Sequence, residues 1–228
     1  MDQIIPLTGS RLRTPRAAAI AGILFSGLLI AILLLFQSSV PRDALDQGAW
    51  LSTSLERVVL AINLMPFAGV AFLWFVGVVR DRLADAEDRL FATVFLGSAL
   101  LFLAMMFVAA AVFGAIVAVH AARPETVINS TAFALARAFA YTIVNVYAIK
   151  MAAVFMMITS TLAIRTAFIA RWMAAPGLAM ATFLLFCSQW VGWSFIVFPV
   201  WALLISAYIL FANFHHVAAQ HPAAPPTR

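Results

Sequence analysis

The sequence contains little charge and almost no cysteine. Only 10% of its 228 residues are charged, whereas soluble globular domains contain about 25%. The single cysteine, Cys187, excludes an intrachain disulfide framework and a metal site built from several cysteines. The net charge is +5, but a chain with so few polar residues has no polar surface that could form a nucleic-acid-binding patch. We therefore expect no nucleic-acid partner.

Apolar residues take the place of the missing charge. They make up 65% of the chain, and the mean hydropathy is +1.04. A membrane-spanning helix needs about 20 mostly apolar residues. Long uncharged stretches supply such spans at about 17–36, 58–79, 91–118, 138–162, 176–190 and 195–214. The sequence therefore predicts an all-α transmembrane bundle of six spans, one domain covering residues 1–228, with a disordered tail over 221–228.

The distribution of Lys and Arg predicts the orientation of the bundle. With the N-terminus inside, nine basic residues fall in inner segments and three, Arg42, Arg57 and Arg123, fall in outer loops. Short loops rich in Lys and Arg stay on the cytoplasmic side. The first span is about 20 residues long, which exceeds the h-region of a signal peptide, so we expect a retained anchor. The sequence predicts a multi-pass protein of the bacterial cytoplasmic (inner) membrane with both termini cytoplasmic.

The fourth span carries two cations at membrane depth. Arg137 and Lys150 lie 13 residues apart, about 20 Å along a helix, so a hydrocarbon core of roughly 30 Å cannot exclude both. We expect Arg137 to reach the outer headgroups and Lys150 to lie near the midplane, facing the bundle interior. The polar residues nearest in depth are Asn145, Tyr141 and Tyr147 on the same span and Asn63 on the second span, beside Pro66.

These residues leave two interpretations of the fourth span open. Lys150, Asn145, Tyr141, Tyr147, Asn63 and Arg137 are candidate substrate-binding residues of a pocket for a small anionic or polar solute. Alternatively, Lys150 is a structural group held neutral between helices by a tyrosine hydroxyl or a freed backbone carbonyl.

Motifs for catalysis and for metal binding are missing. The sequence contains no His-Glu-x-x-His, no Gly-x-Ser-x-Gly and no phosphate-binding glycine loop. No two of His215, His216 and His221 have the i, i+4 spacing that places two imidazoles on one helical face. We therefore expect no enzymatic activity, no metal site and no cofactor.

Two shorter patterns concern packing and loops. Small residues at Gly22 and Ser26, and at Ala110, Gly114 and Ala118, predict close helix contacts. The highly charged segment Arg80–Arg89 contains acid–base pairs at helical spacing, such as Asp85 with Arg89. It predicts a solvated helical continuation in the cytoplasm.

The segment from Ile164 to Gly177 resembles uncharacterised bacterial six-span membrane proteins. It carries an Arg-Thr pair, then Arg171-Trp172, then Gly177, and Ala170 stands where those proteins usually have proline. The resemblance covers the last third of the chain. It implies the six-span fold and no particular activity.

Two function classes follow from the sequence. The first is a structural or accessory subunit that acts through helix–helix contacts in a larger membrane complex. The alternative is a channel or transporter for a small anionic or polar solute that uses the polar pocket around Lys150. Besides the lipid bilayer, the expected partners are other membrane subunits or further copies of the chain.

Overall fold

Helices form where the sequence has its long apolar stretches. The computed structural model describes residues 15–41, 43, 48–83, 89–127, 130–166, 171–188, 192 and 194–219. Within these ranges the chain is helical apart from short connections, and no strand occurs. The α-helices are α1 (Pro15–Ser39), α2 (Trp50–Thr53), α3 (Leu55–Leu83), α4 (Arg89–Ala122), α5 (Pro124–Val127), α6 (Thr131–Thr142), α7 (Ile149–Thr166), α8 (Arg171–Cys187) and α9 (Val197–Ala219). A π-helical segment, Ile143–Ala148, joins α6 to α7, and a short 3-10 turn, Ser194–Ile196, precedes α9.

The described part of the chain contains five helices long and apolar enough to cross a membrane. They are Ala19–Ser39, Leu55–Arg80, Leu90–Ala122, Thr131–Arg165 and Ser194–Phe211. The helix at the fifth predicted span, α8, has 17 residues and an apolar stretch of Ala174–Cys187. At 1.5 Å per residue it is about 26 Å long, slightly less than a hydrocarbon core of roughly 30 Å. The all-helical fold is confirmed for the described residues, and five of its helices are candidates to span a membrane by length and composition.

The fourth long helix begins earlier than predicted. The charge-free stretch suggested a start near residue 138, but α6 begins at Thr131. Ser130 has an extended backbone, and its hydroxyl oxygen accepts a hydrogen bond from the Phe133 N–H at 3.1 Å, which caps the helix. The helix therefore includes Arg137.

The connections are described only in part. Helix α3 continues through Arg80 to Leu83, and α4 begins at Arg89, so the ends of the charged segment are helical. Residues 84–88 between them lie outside the described residues. Between α8 and α9, Gly192 lies in a turn. The predicted tail 221–228 and His221 also lie outside the described residues.

The long helices pack in a ring around a shared apolar core. Helix α1 packs against α3 and α9, α3 packs against α4, and α4 packs against the whole α6–α7 helix. Helix α8 packs almost entirely against α7. The ring closes where α9 meets α7 and α8, through a much smaller contact.

Aromatic rings fill the middle of this ring. We call the following buried residues the aromatic core: Phe25, Phe72, Phe75, Phe95, Phe102, Phe155, Phe198 and Trp201. Phe155 of α7 is its centre, with ring centroids 4.9 Å from Phe95, 5.6 Å from Phe72 and 6.1 Å from Phe198. Offset and edge-to-face geometries of this kind add about 0.5–1.5 kcal/mol per pair beyond packing area. The aromatic core thus ties α7 to α3, α4 and α9.

Glycines allow the backbones around the aromatic core to approach closely. A methyl group at Gly22 would overlap the Ser206 hydroxyl oxygen and lie 2.8 Å from the Phe75 ring. Gly22 therefore packs as its small-residue pattern predicts. Gly114 does not, because nothing within the described residues lies within 4 Å of a methyl group there.

Candidate functional site

A cavity of about 180 Å³ opens near the end of the bundle where α1 finishes and α6 begins. We call it the Arg137 cavity. Its polar lining residues are Gln37, Arg137, Tyr141 and Asn145, and Pro41 and Gly192 stand beside them. The remaining wall is apolar: Ile32, Leu33, Phe36, Val40, Met65, Met106, Ala109, Ala110, Phe113, Ala140, Val144 and Phe195. From the end of α1 the cavity reaches back to Ile32, about 10 Å along the helix.

The cavity exists because two groups of helices separate at this end. Helix α1 keeps its contacts with α3 and α9, whereas α6 and the π-helical segment pack against α4 and scarcely touch α1. Nearer the other end, α7 and α9 meet and close the gap. The cavity is therefore a crevice between α1 and the α6–π wall, with α4 behind it.

Arg137 is the charged group of the cavity. Its side chain is only 3% exposed, and its Nη2 donates a hydrogen bond to the carbonyl oxygen of Pro41. This bond connects α6 to the chain just beyond α1, across the width of the crevice. A hydrogen bond from a charged donor contributes about 1.5–3 kcal/mol. Arg137 lies inside the bundle, so the expectation that it reaches the outer headgroups is wrong, because the Pro41 carbonyl offers it a partner within the protein.

Tyr141 and Asn145 follow Arg137 along the same wall at intervals of four residues. Tyr141 is 48% exposed and therefore stands at the opening of the cavity. Asn145 is half-buried, and its Nδ2 donates to the Tyr141 carbonyl oxygen at 3.0 Å. That bond holds the amide in one orientation and occupies one side of it.

The π-helical segment positions this wall. At its end the Ile149 N–H donates to the Val144 carbonyl, five residues back, so the turn is wider than in an α-helix. Val144 and Asn145 belong to this segment and line the cavity. Segments of π-helix are rare and are frequent at functional sites, because an irregular turn offers backbone carbonyls to other donors. The sequence carried no visible signal for it.

A second void of about 20 Å³ lies next to the Arg137 cavity on the side of the aromatic core. The two voids share Leu33, Met106, Val144 and Phe195 as walls. The second void has room for about one water molecule, which needs about 10–15 Å³. Phe198 lines it and packs against Phe102 with a centroid distance of 4.9 Å. The aromatic core therefore closes the cavity toward the other half of the bundle.

The structure brings together three of the six residues predicted for the site. Arg137, Tyr141 and Asn145 line the cavity, and Lys150, Tyr147 and Asn63 are not among its lining residues in the described part of the chain. Lys150 is half-buried and lies beyond the π-helical segment. Tyr147 is 54% exposed, and Asn63 is exposed too.

Rotation around each helix explains these positions. On α3, the buried Met65 lines the cavity, whereas Asn63 lies on an exposed face of the same helix. After the π-helical segment, the buried face of α7 is formed by Ala152, Ala153 and Met156, and Lys150 lies at its margin.

The sequence interpretation missed Gln37 as a site residue. It lies in the last turn of α1, was assigned to the first outer loop, and lines the cavity. An amide in the final turn of an otherwise apolar helix is the signal that could have identified it. Gly192 and Met106 had no comparable signal, because only packing brings them to the cavity.

Comparison of the chain with protein-family models, with curated proteins and with solved structures found no match.

Proposed function

We propose that the chain is a membrane protein that binds a small polar or anionic solute in the Arg137 cavity and passes it across the bilayer. The observation that supports the proposal is the presence of Arg137, Tyr141, Asn145 and Gln37 on one concave site. Binding sites for small molecules are typically apolar pockets with a few placed polar groups. A buried arginine within a spanning helix is costly, so it indicates a function or a specific partner.

The proposed topology has six spans and both termini in the cytoplasm of a bacterium, with the chain in the inner membrane. The apolar composition of α8 supports the sixth span, and the distribution of Lys and Arg supports the orientation. In this topology α1 runs outward, so the cavity opens on the outer side. A cysteine at exposed Gly192, in a Cys187→Ser background, should then react with an impermeant thiol reagent on whole spheroplasts. Reaction only after lysis would contradict the topology.

Passage of a solute requires movement of the aromatic core. The second void lies between the cavity and Phe198, which packs against Phe102 and Phe25. The packed side chains of the aromatic core therefore block the path of a solute from the cavity toward the inner side. Separation of α9 from α7, which share only a small contact, opens this route with the least loss of packing.

We also propose that the protein has no catalytic activity. The polar groups that line the cavity in the described chain are a guanidinium, a phenol and two amides. The described lining contains no histidine and no carboxylate that could act as a base on the phenol of Tyr141, so these groups form no activated nucleophile there.

A flux assay in liposomes tests the proposal. Ala110 is 8% exposed and lines the cavity on α4, so Ala110→Leu fills space that a solute would occupy. Ala111 is the next residue, is exposed, and provides the matched control Ala111→Leu. We expect flux of chloride, nitrate or small carboxylates through the wild type and Ala111→Leu, and loss of flux in Ala110→Leu. Wild-type liposomes no more permeable than protein-free ones would contradict transport.

One observation favours the accessory subunit as a second candidate. Helix α8 lies at the edge of the ring, packs mainly on α7, and is short for a spanning helix. Phe186 on this helix is 72% exposed. A partner helix against α8 would cover this face. A photo-crosslinking residue at Phe186 should then capture one stoichiometric membrane subunit in native membranes, and crosslinks to lipid alone would exclude this candidate.

A further inference from the structure

The apolar wall of the Arg137 cavity restricts what can occupy it. Most of its lining side chains are apolar, including Met65, Met106 and Phe113 on the side of α3 and α4. A strongly hydrated solute, such as a sugar, would lose its water there without gaining enough hydrogen bonds in return. The wall therefore favours an occupant with an apolar body.

The size and the shape of the wall favour an aromatic body. The cavity of about 180 Å³ is slightly larger than the engineered cavity of about 150 Å³ that binds benzene. Phe36 and Phe113 line it as a tilted pair with centroids 4.9 Å apart. Met65 and Met106 add thioether groups, which contact aromatic rings favourably. One six-membered ring with a small head group matches this space.

Three of the four polar groups lie on one side of the cavity, and the fourth, Gln37, lies on α1. Arg137, Tyr141 and Asn145 are all on the α6–π wall, and α4 opposite them contributes only apolar side chains. An occupant with one polar end would place that end toward α6. The bond from Arg137 to Pro41 fixes the guanidinium at this end. The planar N–H groups of arginine match the geometry of a carboxylate better than that of any neutral group.

We infer that the Arg137 cavity binds a small aromatic carboxylate, with its ring between Phe36, Phe113 and the two methionines and its carboxylate toward Arg137. The inference rests on the proposed function and names the class of solute.

Binding measurements with benzoate and benzamide test the class of solute. The two probes have the same ring and nearly the same size, and only benzoate carries a negative charge. In isothermal titration of the purified protein in detergent, with empty micelles as the blank, we expect benzoate to bind about tenfold more tightly than benzamide. The reason is that charge-assisted hydrogen bonds are about twice as strong as neutral ones.

Variants separate binding in the cavity from partition into the micelle. Arg137→Gln removes the charge and keeps a polar N–H donor at this position, so the affinity for benzoate should fall about tenfold and the affinity for benzamide should change little. Ala110→Leu should abolish binding of both probes, and Ala111→Leu should leave both unchanged. If Arg137→Gln does not fold, binding of the two probes to the wild type and to the two alanine variants still tests whether the cavity prefers an aromatic carboxylate.

The outcomes distinguish this inference from the proposed function. Equal affinity for benzoate and benzamide, or benzoate binding that Ala110→Leu does not change, would overturn the aromatic carboxylate. If chloride or nitrate flux is lost in Ala110→Leu while benzoate does not bind, the inference fails and the proposed function stands. If the wild type neither binds a probe nor conducts an anion, both fail.

Discussion

The two ends of the bundle differ in how closely the same kinds of residues pack. In the aromatic core the helices are in close contact, with Gly22 and Gly177 against side chains of neighbouring helices. At the Arg137 cavity the helices separate, although the wall is again mainly apolar. Gly27, one and a half turns beyond Gly22, is exposed on the outer face of α1, so a methyl group there would contact nothing within the described residues. The difference shows that composition alone does not decide where an apolar bundle leaves space.

The replacement Phe155→Ala should have the largest effect on stability. Phe155 is fully buried at the centre of the aromatic core, and Phe→Ala changes of this kind cost about 3–5 kcal/mol through lost contacts and an empty cavity. Equilibrium unfolding in mixed micelles measures the loss. Phe186→Ala, at an exposed position of α8, is the control and should change the unfolding free energy by less than about 0.5 kcal/mol. Equal losses for both variants would mean that the aromatic core does not stabilise the bundle.

The replacement Gly22→Ala should rank second. Its methyl group would meet the Ser206 hydroxyl and the rigid ring of Phe75, and overpacking costs about 1–3 kcal/mol. Gly27→Ala is the control on the same helix. It should be neutral or stabilising by up to about 1 kcal/mol, because alanine favours helix over glycine. Similar melting temperatures for the two variants would contradict the close approach of α1 to α9.

The replacement Arg137→Met should cost less, about 1–2 kcal/mol, since it removes the charge-assisted bond to Pro41 but keeps an apolar stem of similar length. The unfolding free energy is the measurement. Wild-type stability of Arg137→Met would show that the bond across the crevice contributes nothing, and the comparison of the two ends would then rest on packing alone.

The replacement Lys150→Met should have the smallest effect on stability. Lys150 is half-buried at the margin of the packed face, and replacing a partly buried charge by an apolar side chain is often neutral or stabilising. We expect a change within about 0.5 kcal/mol. Solute flux should persist in this variant, because Lys150 does not line the cavity as described. Loss of flux with an intact fold would place the site at Lys150, as the sequence interpretation proposed.

Much of the fold is predictable from the sequence, because a spanning helix must satisfy its own backbone hydrogen bonds and needs a long apolar stretch. The helices therefore appear at every predicted span. Their ends are less predictable: α6 begins at Thr131 because the Ser130 hydroxyl caps it, and the apolar pattern does not reveal that cap. Helix α8 shows the same limit, since it runs Arg171–Cys187 rather than 176–190.

The site is predictable only for residues on one helix. Arg137, Tyr141 and Asn145 follow each other at intervals of four, so one helix face places them together whatever the rest of the chain does. Gln37 and Met65 come from other helices, and their positions depend on how those helices rotate and pack. Lys150 was favoured by its depth along the span, but depth does not specify the direction in which a side chain points.

By itself the sequence determined that the chain is helical, with helices apolar enough to span a membrane, because a long apolar stretch in lipid must satisfy its backbone hydrogen bonds within the helix. It also predicted that the fourth long helix carries a cation at membrane depth, since Arg137 and Lys150 are closer together than the thickness of the hydrocarbon core. Only the tertiary structure showed that Arg137 is buried within the protein, because this burial depends on the Pro41 carbonyl, which lies 96 residues away from Arg137 in the chain. The tertiary structure also decided the separation of α1 from α6, since a cavity depends on the distances between helices and not on any single helix.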